Sequence, residues 1–175
     1  MIKKYFYSDK FFKDVIRKKK DKRIHSEYKK ILKYKKKIKF VYQNIPNGTG
    51  DAVLKTRNLI KDKFFLMLLP DDLIIKKNCS KSMIDIHNRY KSSVMASMRV
   101  NRKSVNRWGI FKIGKKINKN NFYIKDVVEK PSINLAPSNN AVIGRYILPK
   151  KILSVLKNQK KEKVERYISQ MQSKL

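Results

Sequence analysis

Three short segments of this sequence carry residues that could act on a phosphorylated ligand. Asp71 and Asp72 directly follow an apolar run, and a carboxylate at the end of a buried strand suits a hard cation such as Mg²⁺. Gly48-Thr49-Gly50 precedes a predicted helix, whose first N–H groups could receive an anion. Glu129 and Lys130 could accept hydrogen bonds from a hydroxyl and neutralise a phosphate. Taken singly, each segment is more typical of a turn or an exposed charge pair.

Histidine and cysteine chemistry is not indicated. His25 and His87 have no spaced partners for a metal site or a catalytic triad, so we interpret both as structural. Cys79 is the one cysteine, which excludes an intramolecular disulfide framework and a cysteine-rich zinc site. We therefore expect any chemistry to come from the carboxylates, glycines and lysine named above.

The hydropathy pattern predicts alternating strands and helices around these segments. An alternating stretch at 38–42 predicts a strand, a loop and a helix over 51–60 follow, and the apolar run 64–69 predicts a strand buried on both faces. This order is a βαβ unit, typical of an α/β fold with a mostly parallel sheet. The remaining predictions are a helix over about 8–36 interrupted near His25 and Ser26, a helix over 80–90, strands over 93–100, 107–113, 121–128 and 140–148, and a short helix opened by Pro149.

The charge of the chain has two interpretations. Lys and Arg number 45 against 13 Asp and Glu, a formal net charge of +32, which is typical of proteins that bind polyanions. However, only nine of the basic residues are arginine, the side chain best suited to bidentate contacts with phosphate and guanine. The excess of Lys, Ile and Asn, which have A/T-rich codons, favours a compositional bias. A basic nucleic-acid-binding module stays open as the alternative.

Length and hydropathy indicate one soluble domain. The chain has 175 residues, 41% of them hydrophobic, which is enough for a core. The longest apolar run, at 64–69, is far shorter than the ~20 residues that span a bilayer. The first ten residues carry charges throughout and no apolar region of a signal peptide. We therefore expect a cytoplasmic protein that does not enter membranes, with residues 158–175 as a polar helix or tail.

The motifs occur in an order and at a spacing that resemble bacterial UTP–glucose-1-phosphate uridylyltransferases, which are sugar-phosphate nucleotidyltransferases. The resemblance runs from about residue 5 to residue 157. The segments that carry it are Phe40-Val41-Tyr42-Gln43 with Gly48-Thr49-Gly50-Asp51-Ala52-Val53, Leu68-Leu69-Pro70-Asp71-Asp72, Arg107-Trp108-Gly109-Ile110, Val127-Val128-Glu129-Lys130-Pro131, and Ala136 to Leu148.

This resemblance implies a Rossmann-like nucleotide-diphospho-sugar transferase fold with a mixed, mostly parallel sheet. It implies that UTP and glucose 1-phosphate react to give UDP-glucose and pyrophosphate, the sugar phosphate attacking the α-phosphorus with Mg²⁺ as cofactor. On the nucleotide side it places Gln43 and Gly48 against the uracil ring and Asp71 on the metal. Lys130 would hold a phosphate, so that Asp71 and Lys130 are the implied catalytic residues.

On the sugar side the resemblance implies three residues. The backbone of Gly109 would approach the glucose, where a side chain would obstruct it. Glu129 would accept hydrogen bonds from glucose hydroxyls, and Val142 would line the sugar pocket. The family usually has His where Asp51 stands, Tyr where Trp108 stands and Leu where Asn140 stands.

The resemblance also implies that the chain is a central fragment of the fold. The family begins with a Gly-rich loop that cradles the triphosphate and ends with a further metal ligand, and neither motif occurs here. We therefore expect residues 1–157 to form a partial nucleotidyltransferase domain with little or no activity alone. A second copy or a complementary chain is the expected macromolecular partner, and no specific nucleic acid is expected. A non-catalytic remnant or subunit that needs a complementary chain stays open as a second alternative.

Overall fold

The computed structural model describes residue 3, residues 10–75 and residues 77–158, in two compact units. The units comprise Met1–Tyr42 and Gln43–Leu175. The predicted C-terminal helix or tail lies outside the described residues from 159 onward.

Over residues 10–35 the first unit contains two helices, and the break between them falls at 18–21 instead of near His25 and Ser26. Helix α1 spans Lys10–Arg17 and helix α2 spans Lys22–Lys35. The break falls before α2 because the Asp21 side chain accepts a hydrogen bond from the Arg23 N–H at 2.8 Å and caps the new helix. Residues 38–42, which were predicted as a strand, form no strand in the structure. A strand needs a neighbouring strand for its backbone hydrogen bonds, and the described part of this unit contains none.

The second unit holds the sheet and the remaining helices. Pro149 is the final residue of the last strand and pairs there with Phe64. The prediction that this proline opens a helix is therefore wrong. The other strands predicted beyond residue 60 are confirmed within a few residues. The elements are α3 (Thr49–Lys55), β1 (Phe64–Leu68), α4 (Cys79–Tyr90), β2 (Val94–Arg99), a 3₁₀ helix (Arg102–Arg107), β3 (Gly109–Lys116), β4 (Phe122–Glu129), β5 (Asn140–Pro149) and α5 (Ile152–Lys157).

The sheet is five-stranded and every strand pairing in it is antiparallel, so the prediction of a mostly parallel sheet is wrong. Strand β5 pairs with β1, β2 and β3. Ile147 faces both β1 and β2, whereas Ala141 faces both β2 and β3, so β1 and β3 share one edge of β5 and β2 has the other. Strands β1 and β2 run in the same direction, but they are not neighbours. Strand β5 lies between them and is antiparallel to both.

Apolar side chains cover both faces of this sheet. On one face Val53 of α3 and Leu153 of α5 pack with Leu148, and on the other face Met83 of α4 packs with Ile147. A third cluster joins Val105, Ile110, Ala136 and Ala141 near the start of β5. Within the described residues, every helix is too short or too polar to cross a membrane.

Candidate functional site

Three residues that the family resemblance places in a sugar pocket meet at the start of β3. Gly109 pairs with Glu129 at the end of β4. A Cβ placed on Gly109 would lie 2.9 Å from Glu129 Oε2 and 3.4 Å from Val142 Cγ2, with Val127 Cγ1 at 3.3 Å. The Gly109 backbone therefore lies directly against an acidic oxygen and an apolar wall, with no room for a side chain.

Lys130 follows this pair in an unusual backbone conformation. Its φ is 44°, in the left-handed region that non-glycine residues adopt at a cost of about 1 kcal/mol. Its N–H donates to the Trp108 carbonyl at 3.0 Å, which extends the β3–β4 ladder by one pair. Glu129 is therefore the last residue of β4, and Lys130 directly after it is exposed to solvent.

A partly buried polar network that sequence reasoning missed supports the segment leading to Val142. The Arg102 guanidinium donates to the Ala136 carbonyl at 2.8 Å, and Ser138 Oγ donates to the Phe111 carbonyl at 2.7 Å. Asn140 N–H donates in turn to Ser138 Oγ at 3.0 Å. Because partners such as Arg102 and Ala136 lie 34 residues apart, no local pattern in the sequence indicates them.

Asp71 and Asp72 occupy the turn after β1 and have different roles. Asp72 Oδ2 accepts a hydrogen bond from the Gly144 N–H, and Leu69 N–H donates to the Gly144 carbonyl at 2.7 Å. Asp71 is exposed and has no hydrogen bond or ion pair among the described residues. The turn is thus fixed to β5 through Asp72, which leaves the Asp71 carboxylate available to a ligand.

We expect Gly144→Ala to destabilise the fold because the turn packs directly on this glycine. An added Cβ would lie 2.5 Å from Leu69 Cβ and 2.7 Å from Asp72 Oδ2, and relieving such overpacking costs about 1–3 kcal/mol. Urea unfolding should show this loss, whereas Lys112→Ala, at an exposed position of β3, should change the free energy of unfolding by less than about 0.5 kcal/mol. Equal stability of Gly144→Ala and the unaltered chain would contradict this packing.

The predicted uracil-binding residues lie at the N-terminal end of α3. Gln43 Nε2 donates to the Gly48 carbonyl at 3.1 Å and to Asp51 Oδ2 at 2.7 Å. Gly48 has φ 89° and ψ 173°, a conformation that favours glycine, and a Cβ there would meet no atom within 4 Å. Asp51 stands in the first turn of α3, with Lys55 Nζ 3.9 Å from its other oxygen.

These groups lie on one face of the sheet. Val142 and Gly144 are two residues apart on β5 and therefore point to the same side. Leu148, four residues further along β5, shares that side and packs with Val53 of α3. The structure therefore places the sugar-side residues, the Asp71–Asp72 turn and the helix next to Gln43 on a common face.

The described carboxylates fit a cation whose other contacts come from the phosphates of a bound nucleotide and from water. No group of three or more His, Cys, Asp or Glu residues comes together within the described ranges. Asp71 offers one unengaged carboxylate, because Asp72 is bound to Gly144. Mg²⁺ commonly takes one or two carboxylates together with phosphate oxygens and water, so Asp71 fits Mg²⁺ that arrives with a nucleotide.

Comparison with known proteins gives a consistent result. A family model described as nucleotidyl transferase matches residues 5–175. A UTP–glucose-1-phosphate uridylyltransferase of Streptococcus pyogenes is 35% identical over 127 residues, 70% of this chain and 42% of that protein. The basic nucleic-acid-binding module that the charge left open gains no support from these matches.

Solved structures of UDP-glucose pyrophosphorylases share the fold. One in complex with UDP-glucose is 30% identical with a TM-score of 0.69, over 83% of this chain and 61% of that chain. One from Acinetobacter baumannii is 26% identical with a TM-score of 0.73, over 98% of this chain and 61% of that chain. The chain thus spans under two thirds of these relatives, and 42% of the Streptococcus pyogenes relative.

Proposed function

Because this chain belongs to the nucleotidyl transferase family, we propose that it supplies part of an enzyme that makes UDP-glucose and pyrophosphate from UTP and glucose 1-phosphate. The observation that carries the proposal is the close meeting of Gly109, Glu129 and Val142 on one face of the sheet. Similarity to a pyrophosphorylase solved with UDP-glucose supports the same ligand.

The sugar-side residues suit a hexose. The Glu129 carboxylate accepts hydrogen bonds from hydroxyls, and charge-assisted bonds of this kind are among the stronger ones. Val142 offers an apolar surface to the C–H face of the ring, and Gly109 lets the ring approach the backbone. Together they bind the glucose moiety and orient its phosphate, and such positioning provides much of the rate in phosphoryl transfer.

The charged residues suit the phosphates. Asp71 would hold Mg²⁺, which when bound neutralises charge on the phosphate oxygens. Lys130, exposed beside Glu129 at the end of β4, would bind a phosphate of either substrate. The strained backbone at Lys130 supports a functional role, since such strain is concentrated at ligand-binding sites.

The hydrogen bonds of Gln43 suit uracil. Since its amide N–H₂ group already donates to Asp51 and to the Gly48 carbonyl, Gln43 presents its Oε1 as an acceptor. Uracil carries an N–H donor at N3, whereas cytosine has an acceptor at that position. Open space beside Gly48 leaves room for a planar base. We therefore assign Asp51 the role of orienting Gln43.

This assignment predicts a loss of base selection in Asp51→Asn. An asparagine can donate as well as accept, so the Gln43 amide is free to turn around. We expect the ratio of UTP to CTP affinity to fall about tenfold, measured by isothermal titration. Asp51→Glu, which keeps an acceptor, serves as the control. An unchanged ratio in Asp51→Asn, with UTP still bound, would show that Asp51 does not orient the amide.

A titration with UDP-glucose tests the proposed function. In ¹⁵N-resolved NMR spectra of this chain, UDP-glucose should shift the amides of Gly109, Glu129 and Lys130, and UDP should leave the Gly109 amide nearly unmoved. ADP-glucose separates base recognition from sugar recognition. A folded spectrum in which millimolar UDP-glucose moves none of these amides would reject the proposal.

We further propose a cytoplasmic location. We also propose that activity requires the remainder of the fold, because the chain spans 42% of its Streptococcus pyogenes relative. The chain alone should therefore release little pyrophosphate from UTP and glucose 1-phosphate. A coupled pyrophosphate assay, with and without the rest of the relative's sequence, measures this dependence. Release at an ordinary enzyme rate, about 10 per second, by the chain alone would contradict it.

A further inference from the structure

A recess of about 770 Å³ opens at the start of β1, and basic side chains surround it. It lies between the segment that follows α3, the first residue of β1 and the turn that joins β5 to α5. A volume of this size is within the range of sites that hold small ligands. None of the ten described residues that line the recess is acidic, and half of them are basic: Arg57, Lys61, Lys63, Lys150 and Lys151.

The backbone holds two of these lysines side by side. Phe64 pairs with Pro149 at the end of the β1–β5 register. Directly beyond this pair, the Lys150 N–H donates to the Lys63 carbonyl at 2.7 Å, which continues the ladder by one position. Lys63 and Lys150 therefore stand opposite each other, and like charges at opposite positions destabilise a sheet. A bound anion would offset this repulsion.

The basic side chains of the recess have no counter-charge within the described part of the chain. All five are exposed, and none of them forms an ion pair with a described residue. Asp62 lies between Lys61 and Lys63 in the sequence, but it does not line the recess. A concave surface lined by charges of one sign focuses their field, so the recess attracts anions.

The abundance of lysine in this chain does not account for the recess. Basic residues make up about a quarter of the sequence, 45 of 175, but five of the ten residues that line the recess. Two other recesses of the same unit have no charged residue in their described lining. One lies between α4, β2 and the β3–β4 turn, and the other between α3 and β1. Basic side chains are thus concentrated at the start of β1 and not spread evenly over concave surfaces.

We propose that this recess binds a compound that carries two or more adjacent phosphate groups. Phosphate oxygens accept charge-assisted hydrogen bonds from lysine, and the planar arginine group can contact two of them at once. The apolar lining offers little surface to a nucleoside, because Pro149 and Leu153 are buried and Phe64 is half-buried. Recognition therefore depends on the phosphates and not on a base.

The recess is separate from the site proposed for UTP and glucose 1-phosphate. Strand β1 begins at Phe64, beside the recess, and ends at Leu68, before the turn that carries Asp71. Four steps of extended chain separate these two ends by about 14 Å. The inference therefore does not depend on the proposed function.

Inorganic pyrophosphate is the probe that tests this proposal. In ¹⁵N-resolved NMR spectra recorded with EDTA at constant ionic strength, pyrophosphate should shift the amides of Lys61, Lys63, Lys150 and Lys151. Mg²⁺ should weaken this binding, because it neutralises the phosphate oxygens that the lysines contact. At Asp71, by contrast, Mg²⁺ should strengthen the binding of a nucleotide. The opposite effects of Mg²⁺ separate the two sites.

Variants matched in charge make the test specific. Lys63→Gln combined with Lys150→Gln should raise the dissociation constant for pyrophosphate about tenfold. Lys112→Gln combined with Lys116→Gln removes the same charge from exposed positions of β3 and should change that constant less than about twofold. Lys63→Arg combined with Lys150→Arg keeps the charge of the recess and should retain the affinity.

A second pair of substitutions covers the case in which the first pair unfolds the sheet. Arg57→Gln combined with Lys151→Gln removes two charges from the recess without touching the Lys63–Lys150 pair. It should also raise the dissociation constant for pyrophosphate about tenfold. The dispersion of the amide spectrum shows whether each variant is folded.

UTP, ATP and tripolyphosphate distinguish an inorganic occupant from a nucleotide. Without Mg²⁺, all three should shift the same four amides with equal affinity, because they share their phosphates. Tighter binding of both nucleotides than of tripolyphosphate would name a nucleotide as the occupant and would support the same phosphate site. A preference for UTP over ATP would show selection of a base and would overturn the proposal.

Three further outcomes contradict a phosphate site in this recess. Shifts of equal size at Lys63 and Lys112 would show that a basic chain attracts anions diffusely. An unchanged dissociation constant in both glutamine variants of the recess would show that its cations do not bind the probe. Tighter binding of a single-stranded RNA oligonucleotide than of tripolyphosphate would assign this surface to nucleic acid. Because none of these measurements involves UDP-glucose, the proposed function can stand if this site fails.

Discussion

Replacing Asp71 with asparagine is expected to lower the affinity of this chain for Mg²⁺–UTP about 10- to 100-fold. Asp71 is the exposed carboxylate in the turn after β1 that has no partner among the described residues. Its negative charge would attract the cation. Losing an interaction with a charged group costs about 1.5–3 kcal/mol, which corresponds to that range of dissociation constants. Isothermal titration with UTP, in the presence and absence of Mg²⁺, measures the effect.

Asp72→Asn is the matched control for this change. It removes the same charge one residue away, but an asparagine oxygen can still accept the hydrogen bond from the Gly144 N–H. We therefore expect Asp72→Asn to keep the turn in place and to lower the affinity for Mg²⁺–UTP less than Asp71→Asn does. Equal losses in the two variants would mean that charge near the turn matters and that Asp71 is not the ligand.

Gly109→Val is expected to lower the affinity for UDP-glucose about 100-fold. The Cβ alone would lie 2.9 Å from Glu129 Oε2, so Glu129 must move from the position in which the proposal places it against the sugar. The two further carbons would press on Val127 and Val142, and so displace the side chains that the proposal places against the glucose ring. A loss of about 2.7 kcal/mol, within the range for overpacked sites, corresponds to the expected factor.

Affinity for UDP separates this effect from unfolding. UDP lacks the glucose, so Gly109→Val should bind UDP as the unaltered chain does. Gly109→Ala, which adds one carbon, should lose less affinity for UDP-glucose than Gly109→Val. If UDP and UDP-glucose lose affinity by the same factor, the substitution acts on the fold as a whole, and the sugar-pocket assignment of Gly109 is wrong.

The sequence predicted the strands beyond residue 60 better than their arrangement. The runs that became β1, β2, β4 and β5 are apolar or alternating over the right lengths, and that pattern follows from which face of a strand is buried. The direction of a neighbour does not follow from it. Strand β5 lies between β1 and β2 because residues about 40 to 85 positions apart pair with one another, so the parallel prediction failed on contacts that no short window contains.

The same reasoning explains which site residues could be predicted. Gly109 and Glu129 stand in motifs whose order resembles a known family, and the structure brings them together with Val142. The hydrogen bond between Gln43 and Asp51 and the attachment of Asp72 to Gly144 were not predicted. Each depends on side-chain geometry between separate segments, and Asp51 departs from the residue usual in the family.

The attachment of two proposed site regions to one strand has a consequence for how the range of bound sugars could change. Val142 borders the proposed sugar pocket and Gly144 fixes the Asp71–Asp72 turn, and two residues of extended chain separate such positions by about 7 Å. That spacing is covalent, so evolution can reshape the proposed pocket wall at Val142 without altering the distance to the turn that carries Asp71. An insertion or deletion between them would displace both at once, and inherited variation in this stretch should therefore consist of substitutions alone.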